Sequence, residues 1–84
     1  MDEGRFRELL TASFTWPTAY TFKFVVPTTQ VQALHRLFAD TKIETRTSRG
    51  GRYTSITARP VMQSPEAVIA IYHQAAKIEG LLAL

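Results

Sequence analysis

The sequence contains no cysteine, which excludes a disulfide, a thiolate nucleophile and a cysteine-ligated zinc ion and indicates a reducing compartment. It has no apolar run long enough to cross a bilayer, and residues 1–10 lack the apolar stretch of a signal peptide. We therefore expect a cytoplasmic protein that does not enter a membrane. Histidine is scarce as well, since only His35 and His73 occur. They fall on different predicted helices, so we expect no metal site.

The chain is short, and its 84 residues form one domain with a modest core. Hydrophobic residues make up 45% and charged residues 20% of it, a composition typical of a globular protein. A triad of Ser55, His73 and Glu66 can be drawn on paper, but the sequence has no G-x-S-x-G elbow to support it. We expect neither an enzyme nor a cofactor.

Periodicity predicts four strands and two helices. In residues 19–26, Tyr20, Phe22, Phe24 and Val26 alternate with Thr21, Lys23 and Val25, as expected of a half-buried strand. Thr29 and Gln32 form a capping box that predicts a helix running to about Asp40. A hairpin follows over residues 43–47 and 52–59, with Gly50 and Gly51 able to take the positive φ of a tight turn. Ser64 and Pro65 begin the second helix, Gly80 stops it, and residues 81–84 form the last strand.

The predicted order β-α-β-β-α-β is that of an α+β, ferredoxin-like sandwich, a four-stranded antiparallel sheet with two helices on one face. Residues 1–15 are expected to be a lead that is partly flexible or a short helix, and residues 16–84 the domain. The core is expected to contain Tyr20, Phe22, Phe24, Val26, Val31, Leu34, Phe38, Ile43, Ile56, Val68, Ile71, Tyr72 and Ile78. The opposite face of the sheet is expected to present Thr21, Lys23, Val25, Glu44, Arg46, Tyr53, Ser55, Thr57 and Arg59.

Positive charge is concentrated in the hairpin, where Lys42 and four arginines stand with only Glu44 as a counter-charge. One interpretation is a docking site for nucleic acid, a phosphorylated metabolite or an acidic protein surface. The other is a solvated hairpin whose edge arginines discourage aggregation. RNA-recognition modules stack bases on aromatic residues of such a sheet, and only Tyr53 is expected there. The candidate docking surface comprises Arg46, Arg49, Arg52, Arg59, Lys23 and Tyr53.

Four segments together resemble one family. Trp16–Lys23 has the pattern aromatic, Pro, two residues, aromatic, one residue, aromatic, Lys. Gly51–Ile56, the pair Ile71-Tyr72 and Leu82–Leu84 match further family motifs in the same order. The chain thus resembles the YbeD-like family, small bacterial proteins of unknown function.

The resemblance implies a fold similar to that of ACT domains, which sense amino acids, and by analogy a regulatory role. ACT domains that bind amino acids usually have glycine after the first strand, where this chain has Pro27-Thr28-Thr29. We therefore expect no amino-acid binding of that kind. Two hypotheses remain. The first is a regulatory or interaction module for an unknown protein partner or small ligand, with self-association through a sheet edge or face giving a homodimer. The alternative is a nucleic-acid-binding module that uses the basic hairpin.

Overall fold

The computed structural model describes residues 2–84, which form three α-helices and six strands. The strands make a four-stranded sheet in the order β3-β4-β2-β6 and a two-stranded sheet of β1 and β5, and every pairing is antiparallel. An α+β fold with a four-stranded antiparallel sheet is therefore confirmed. The elements are α1 (Glu3–Ser13), β1 (Thr18–Ala19), β2 (Phe22–Pro27), α2 (Val31–Leu37), β3 (Ile43–Thr47), β4 (Tyr53–Ala58), β5 (Val61–Met62), α3 (Pro65–Ala75) and β6 (Leu82–Ala83).

Side-chain caps begin two of the helices. The Ser64 hydroxyl accepts the backbone N–H of Ala67 at 3.1 Å, and Pro65 occupies the first turn of α3, as predicted. Asp2 caps α1 by accepting the N–H of Arg5 at 3.1 Å. The lead therefore contains a helix over most of its length, and its packing is described below.

The predicted capping box at Thr29 is wrong. Residues Thr28–Gln30 form a 3₁₀ turn, and α2 follows with Gln30 as a cap that makes no side-chain hydrogen bond. A contact distant in sequence accounts for this, because the Thr28 hydroxyl lies 2.9 Å from the Thr54 hydroxyl and holds the turn against β4. The helix also ends early, at Leu37 rather than near Asp40, and the N–H of Thr41 donates to the Phe38 carbonyl at 2.8 Å.

The first predicted strand is divided in two. Thr18–Ala19 pairs with Val61–Met62, a strand that the sequence did not predict, and β2 begins only at Phe22. The N–H of Tyr20 donates to the Pro60 carbonyl at 3.0 Å, so the chain turns away from the main sheet before it enters β2.

The core lies on one face of the main sheet. Phe22, Phe24 and Val26 are fully buried, whereas Lys23 between them is exposed. All three helices contribute buried residues to the same cluster: Leu10 from α1, Leu34 from α2, and Val68, Ile69 and Ala75 from α3. Each predicted core residue is buried or packs against this cluster. Within residues 2–84, no helix combines the length and apolar character needed to span a bilayer.

Candidate docking surface

The sheet face that points away from the core is polar, and we call it the open face. The strand register gives two rows of neighbouring residues across β2, β4 and β3. One row is Lys23, Thr57 and Glu44, and the other is Val25, Ser55 and Arg46. Paired residues on neighbouring antiparallel strands point to the same side of the sheet. The open face thus comprises Lys23, Val25, Glu44, Arg46, Tyr53, Ser55 and Thr57.

The hairpin tip is held by backbone hydrogen bonds. The Ser48 N–H donates to the Tyr53 carbonyl at 2.8 Å, and the Ser48 hydroxyl accepts the Tyr53 N–H at 3.2 Å. Gly51 has φ +77°, and its N–H donates to the Ser48 carbonyl at 2.9 Å. Of the two predicted turn glycines only this one has a positive φ. The exposed side chains of Arg49 and Arg52 therefore project from a tip of defined backbone geometry.

Two shallow grooves bring most of the predicted residues together. Arg46, Arg49 and Tyr53 line the first groove, whose other walls include Val25 and Ser55. Lys23 and Arg46 line the second, beside Thr57 and Glu44. Arg46 belongs to both grooves and joins them into one continuous surface. The Tyr53 side chain, 52% exposed, supplies a flat aromatic contact on it.

Arg59 lies at the far end of this surface from the hairpin tip, in a third groove with Glu44 and Thr57, which also line the second groove. It follows the last residue of β4, whereas the hairpin tip precedes the first, so the length of the strand separates them. Its guanidinium lies 3.6 Å from the Glu44 carboxylate, so part of its charge is neutralised. The predicted cluster therefore divides into a joined set, Lys23, Arg46, Arg49 and Tyr53, with Arg52 at the tip and Arg59 at the opposite end. Strand alternation predicted the face of these residues, and the register shows which of them lie side by side.

Groups that could support acid–base chemistry have other partners. The Ser55 hydroxyl donates to the Arg46 carbonyl at 3.4 Å, while His73 contacts Glu3. Glu66 pairs with Arg7 at 3.2 Å, so the triad drawn from the sequence is not assembled. In the part of the chain that the structure describes, no three side chains of His, Cys, Asp or Glu are grouped to hold a metal ion.

A tyrosine pair lies on the other side of the sheet. The Tyr72 hydroxyl is 3.2 Å from the Tyr20 hydroxyl, and the Phe6 and Phe22 rings contact the Tyr72 ring with centroids 5.7 and 5.3 Å away. Burial raises the pKa of Tyr72 well above its usual range, and the hydrogen bond and charge interaction with Tyr20 raise it further. Tyr72 is therefore a neutral part of the packing between α1, α3 and the sheet.

A family model matches most of the chain. The model of the family described as Protein of unknown function (DUF493) matches residues 11–83, and the chain belongs to this family. The predicted YbeD-like membership is thereby confirmed. No curated protein and no solved structure matches the chain. The family description names no activity.

Proposed function

We propose that the chain is a small regulatory, non-enzymatic docking module, and that it binds an acidic segment of a partner protein on the open face and hairpin tip. One observation carries the proposal: Lys23, Arg46 and Arg49 lie on one continuous surface, with Arg52 beside it at the tip. Among residues 2–84, none of these four side chains has a carboxylate within ion-pair distance. Their positive potential is therefore available to an incoming anionic partner.

The composition of the surface favours protein over nucleic acid. Bases stack on several aromatic side chains in RNA-recognition sheets, and here Tyr53 is the only aromatic residue among the open-face residues. Val25 and Tyr53 provide apolar area between the charges, as the centre of a protein interface usually does. The surface therefore favours a protein segment over nucleic acid as its partner.

The regulatory role rests on the proposed ferredoxin-like topology. The sheet order β3-β4-β2-β6 places the first and third long strands at the centre, as that topology requires, and the helices share one core. The turn after β2 is unsuited to amino-acid binding as in ACT domains. Its Thr28 N–H donates to the Arg52 carbonyl at 3.0 Å and the Thr28 hydroxyl contacts Thr54, so neither group is free for a ligand. The turn therefore favours a protein partner on the open face over a free amino acid bound at the turn.

The module is further proposed to be cytoplasmic and to act without a cofactor. The absence of cysteine from the sequence supports a reducing location. The engagement of Ser55, Glu66 and His73 with other groups supports a binding role rather than catalysis.

Fluorescence anisotropy tests the proposal with two labelled probes of equal negative charge. One probe is an oligoglutamate peptide and the other is a single-stranded oligonucleotide. The variant is Arg49→Glu with Arg52→Glu. Reversal of two exposed charges is expected to weaken peptide binding at least tenfold, equivalent to about 1.4 kcal/mol. Circular dichroism should show a melting curve close to that of the wild type, since such exposed substitutions shift stability by about 0.5 kcal/mol.

The matched control is Arg36→Glu with Lys77→Glu, which makes the same change in net charge at exposed positions outside the open face. It should keep most of the peptide affinity. Equal losses in the two variants would mean that net charge alone attracts the peptide, and the docking surface would be rejected. Tighter binding of the oligonucleotide than of the peptide, with a steep fall as salt rises, would replace the proposal by nucleic-acid binding.

A further inference from the structure

The edge strand β3 offers an exposed surface for backbone pairing. It pairs with β4 on one side only, and residues 44–47 are all exposed. Natural edge strands are usually protected by shortness, proline or charged side chains. The other edge is protected by shortness, because β6 is Leu82–Ala83 alone. By contrast, β3 has five residues without proline, and those on the helix side of the sheet, Thr45 among them, are uncharged. Its two charged residues, Glu44 and Arg46, are opposite in sign, so they do not repel every second copy of the strand.

Backbone alternation shows which groups of β3 point outwards. The Ser48 N–H donates to β4 at Tyr53, and in an antiparallel pair the bonded positions alternate. The backbone groups of Arg46 and Glu44 therefore face β4. Those of Ile43, Thr45 and Thr47 face away from it, and no strand among residues 2–84 pairs with them.

A second β3 fits this edge in one register that matches both hydrogen bonds and charges. If two copies pair antiparallel about a two-fold axis at Thr45, Ile43 lies opposite Thr47 of the other copy and the full strand is used. Outward-facing backbone groups then meet each other, and each such pair can exchange two hydrogen bonds. In the same register Glu44 of each copy lies opposite Arg46 of the other, on the open face. Opposite charges directly across two strands stabilise the pairing.

The intrachain pair does not compete with this contact. Glu44 lies 3.6 Å from Arg59 through one carboxylate oxygen, Oε1. A carboxylate has two acceptor oxygens, so Oε2 remains for the facing Arg46. On the helix side of the sheet the two Thr45 side chains face each other, a favourable cross-strand pair.

We propose that the chain forms a symmetric homodimer through β3, with Glu44 of each copy paired to Arg46 of the other. The two four-stranded sheets then form one continuous sheet, and the isologous interface closes after two copies. Arg46 is shared by the two proposals, and its guanidinium has five N–H donors, enough for Glu44 of the other copy and for a carboxylate of the docked segment. Lys23, Arg49 and Arg52 stay outside the pairing, so the Arg49→Glu, Arg52→Glu variant tests docking separately from the dimer variants at Glu44 and Arg46.

Sedimentation velocity over a range of protein concentrations tests the dimer with two charge variants, Glu44→Arg and Arg46→Glu. Each variant places like charges opposite each other twice, so each should sediment as a monomer where the wild type is a dimer. An equimolar mixture of the two should form a heterodimer, because every facing pair is then opposite in charge. The double variant with both substitutions should self-associate again for the same reason. Melting curves establish that each variant folds.

Thr45→Pro tests the backbone pairing. It removes an outward-facing N–H that makes no bond to β4, so it should prevent dimer formation, whereas Thr45→Ala should allow it. A wild type that remains monomeric at every concentration would overturn the proposal. So would a mixture of the two charge variants that stays monomeric, or a Thr45→Pro dimer of wild-type stability. None of these results depends on the acidic peptide, so the docking proposal stands or falls by its own experiment.

Discussion

Replacing Gly80 by alanine is expected to destabilise the fold by about 2–5 kcal/mol, through two separate effects. Gly80 has φ +79°, and it precedes the segment that enters β6. A left-handed backbone costs a residue with a Cβ about 1–2 kcal/mol. That Cβ would also lie 2.7 Å from Pro27 Cγ and 3.0 Å from Pro27 Cδ. Carbon atoms normally approach to about 3.5–4.0 Å, so the side chain overlaps the Pro27 ring.

The overlap is not easily relieved, because Pro27 is a closed ring at the end of β2 and pairs with Tyr53. Overpacking of this kind costs about 1–3 kcal/mol. Gly51 and Gly50 allow the two effects to be separated. Gly51 has φ +77° with nothing within 4 Å of a built Cβ, so Gly51→Ala should cost only the backbone contribution. Gly50 has neither constraint, so Gly50→Ala should change stability by less than about 0.5 kcal/mol.

Thermal and urea unfolding followed by circular dichroism measure these differences. For a domain of this size a change of about 1 kcal/mol moves the melting temperature by about 4–8 °C. The melting temperature should be highest for Gly50→Ala, lower for Gly51→Ala and lowest for Gly80→Ala. Pro27→Ala removes both carbons that the new Cβ would overlap. In a Pro27→Ala background, Gly80→Ala should therefore cost only the backbone contribution, measured as the stability difference between the double mutant and Pro27→Ala alone. A Gly80→Ala protein as stable as Gly51→Ala, or a double mutant with no recovery, would refute the reasoning.

Two further predictions concern the helical side of the sheet. Leu10 is 3% exposed, so Leu10→Ala should lower the unfolding free energy by about 2–5 kcal/mol. Leu9 is 55% exposed, so Leu9→Ala in the same urea titration should change it by less than about 0.5 kcal/mol, and equal effects would contradict the packing. Because burial and then Tyr20 raise the pKa of Tyr72, its hydroxyl ionises first in the unfolded chain, and stability should fall as pH rises above about 10. Urea midpoints across that pH range should fall less steeply for Tyr72→Phe, and identical slopes would argue against the shift.

Local patterns predicted the elements whose stability comes from neighbouring residues. The spacing of Phe22, Phe24 and Val26 at every second position identified β2, and the same period of two predicted which side chains lie on the open face. Ser64 and Pro65 identified the start of α3, because a cap acts within one turn.

The features that the sequence did not predict depend on contacts between residues that are distant in the chain. The 3₁₀ turn replaces the capping box at Thr29 because Thr28 meets Thr54, a residue on another strand. The break before β2 depends on the bond from Tyr20 to Pro60, and β5 is too short to give a periodic signal. At the candidate site, the pairing of Arg59 with Glu44 depends on strand register, which local periodicity does not predict.

The packing of α1 extends the core beyond the segment that the family model matches. The family model begins at residue 11, yet Leu10, one position earlier, lies in the core, and the Phe6 ring packs edge-on against Tyr72. Arg7 reaches Glu66 on α3 from the same helix. A fragment cut at the start of the matched segment would therefore lose core side chains and uncover the aromatic side of α3. For this chain, the segment matched by the family model and the packed unit therefore begin at different residues.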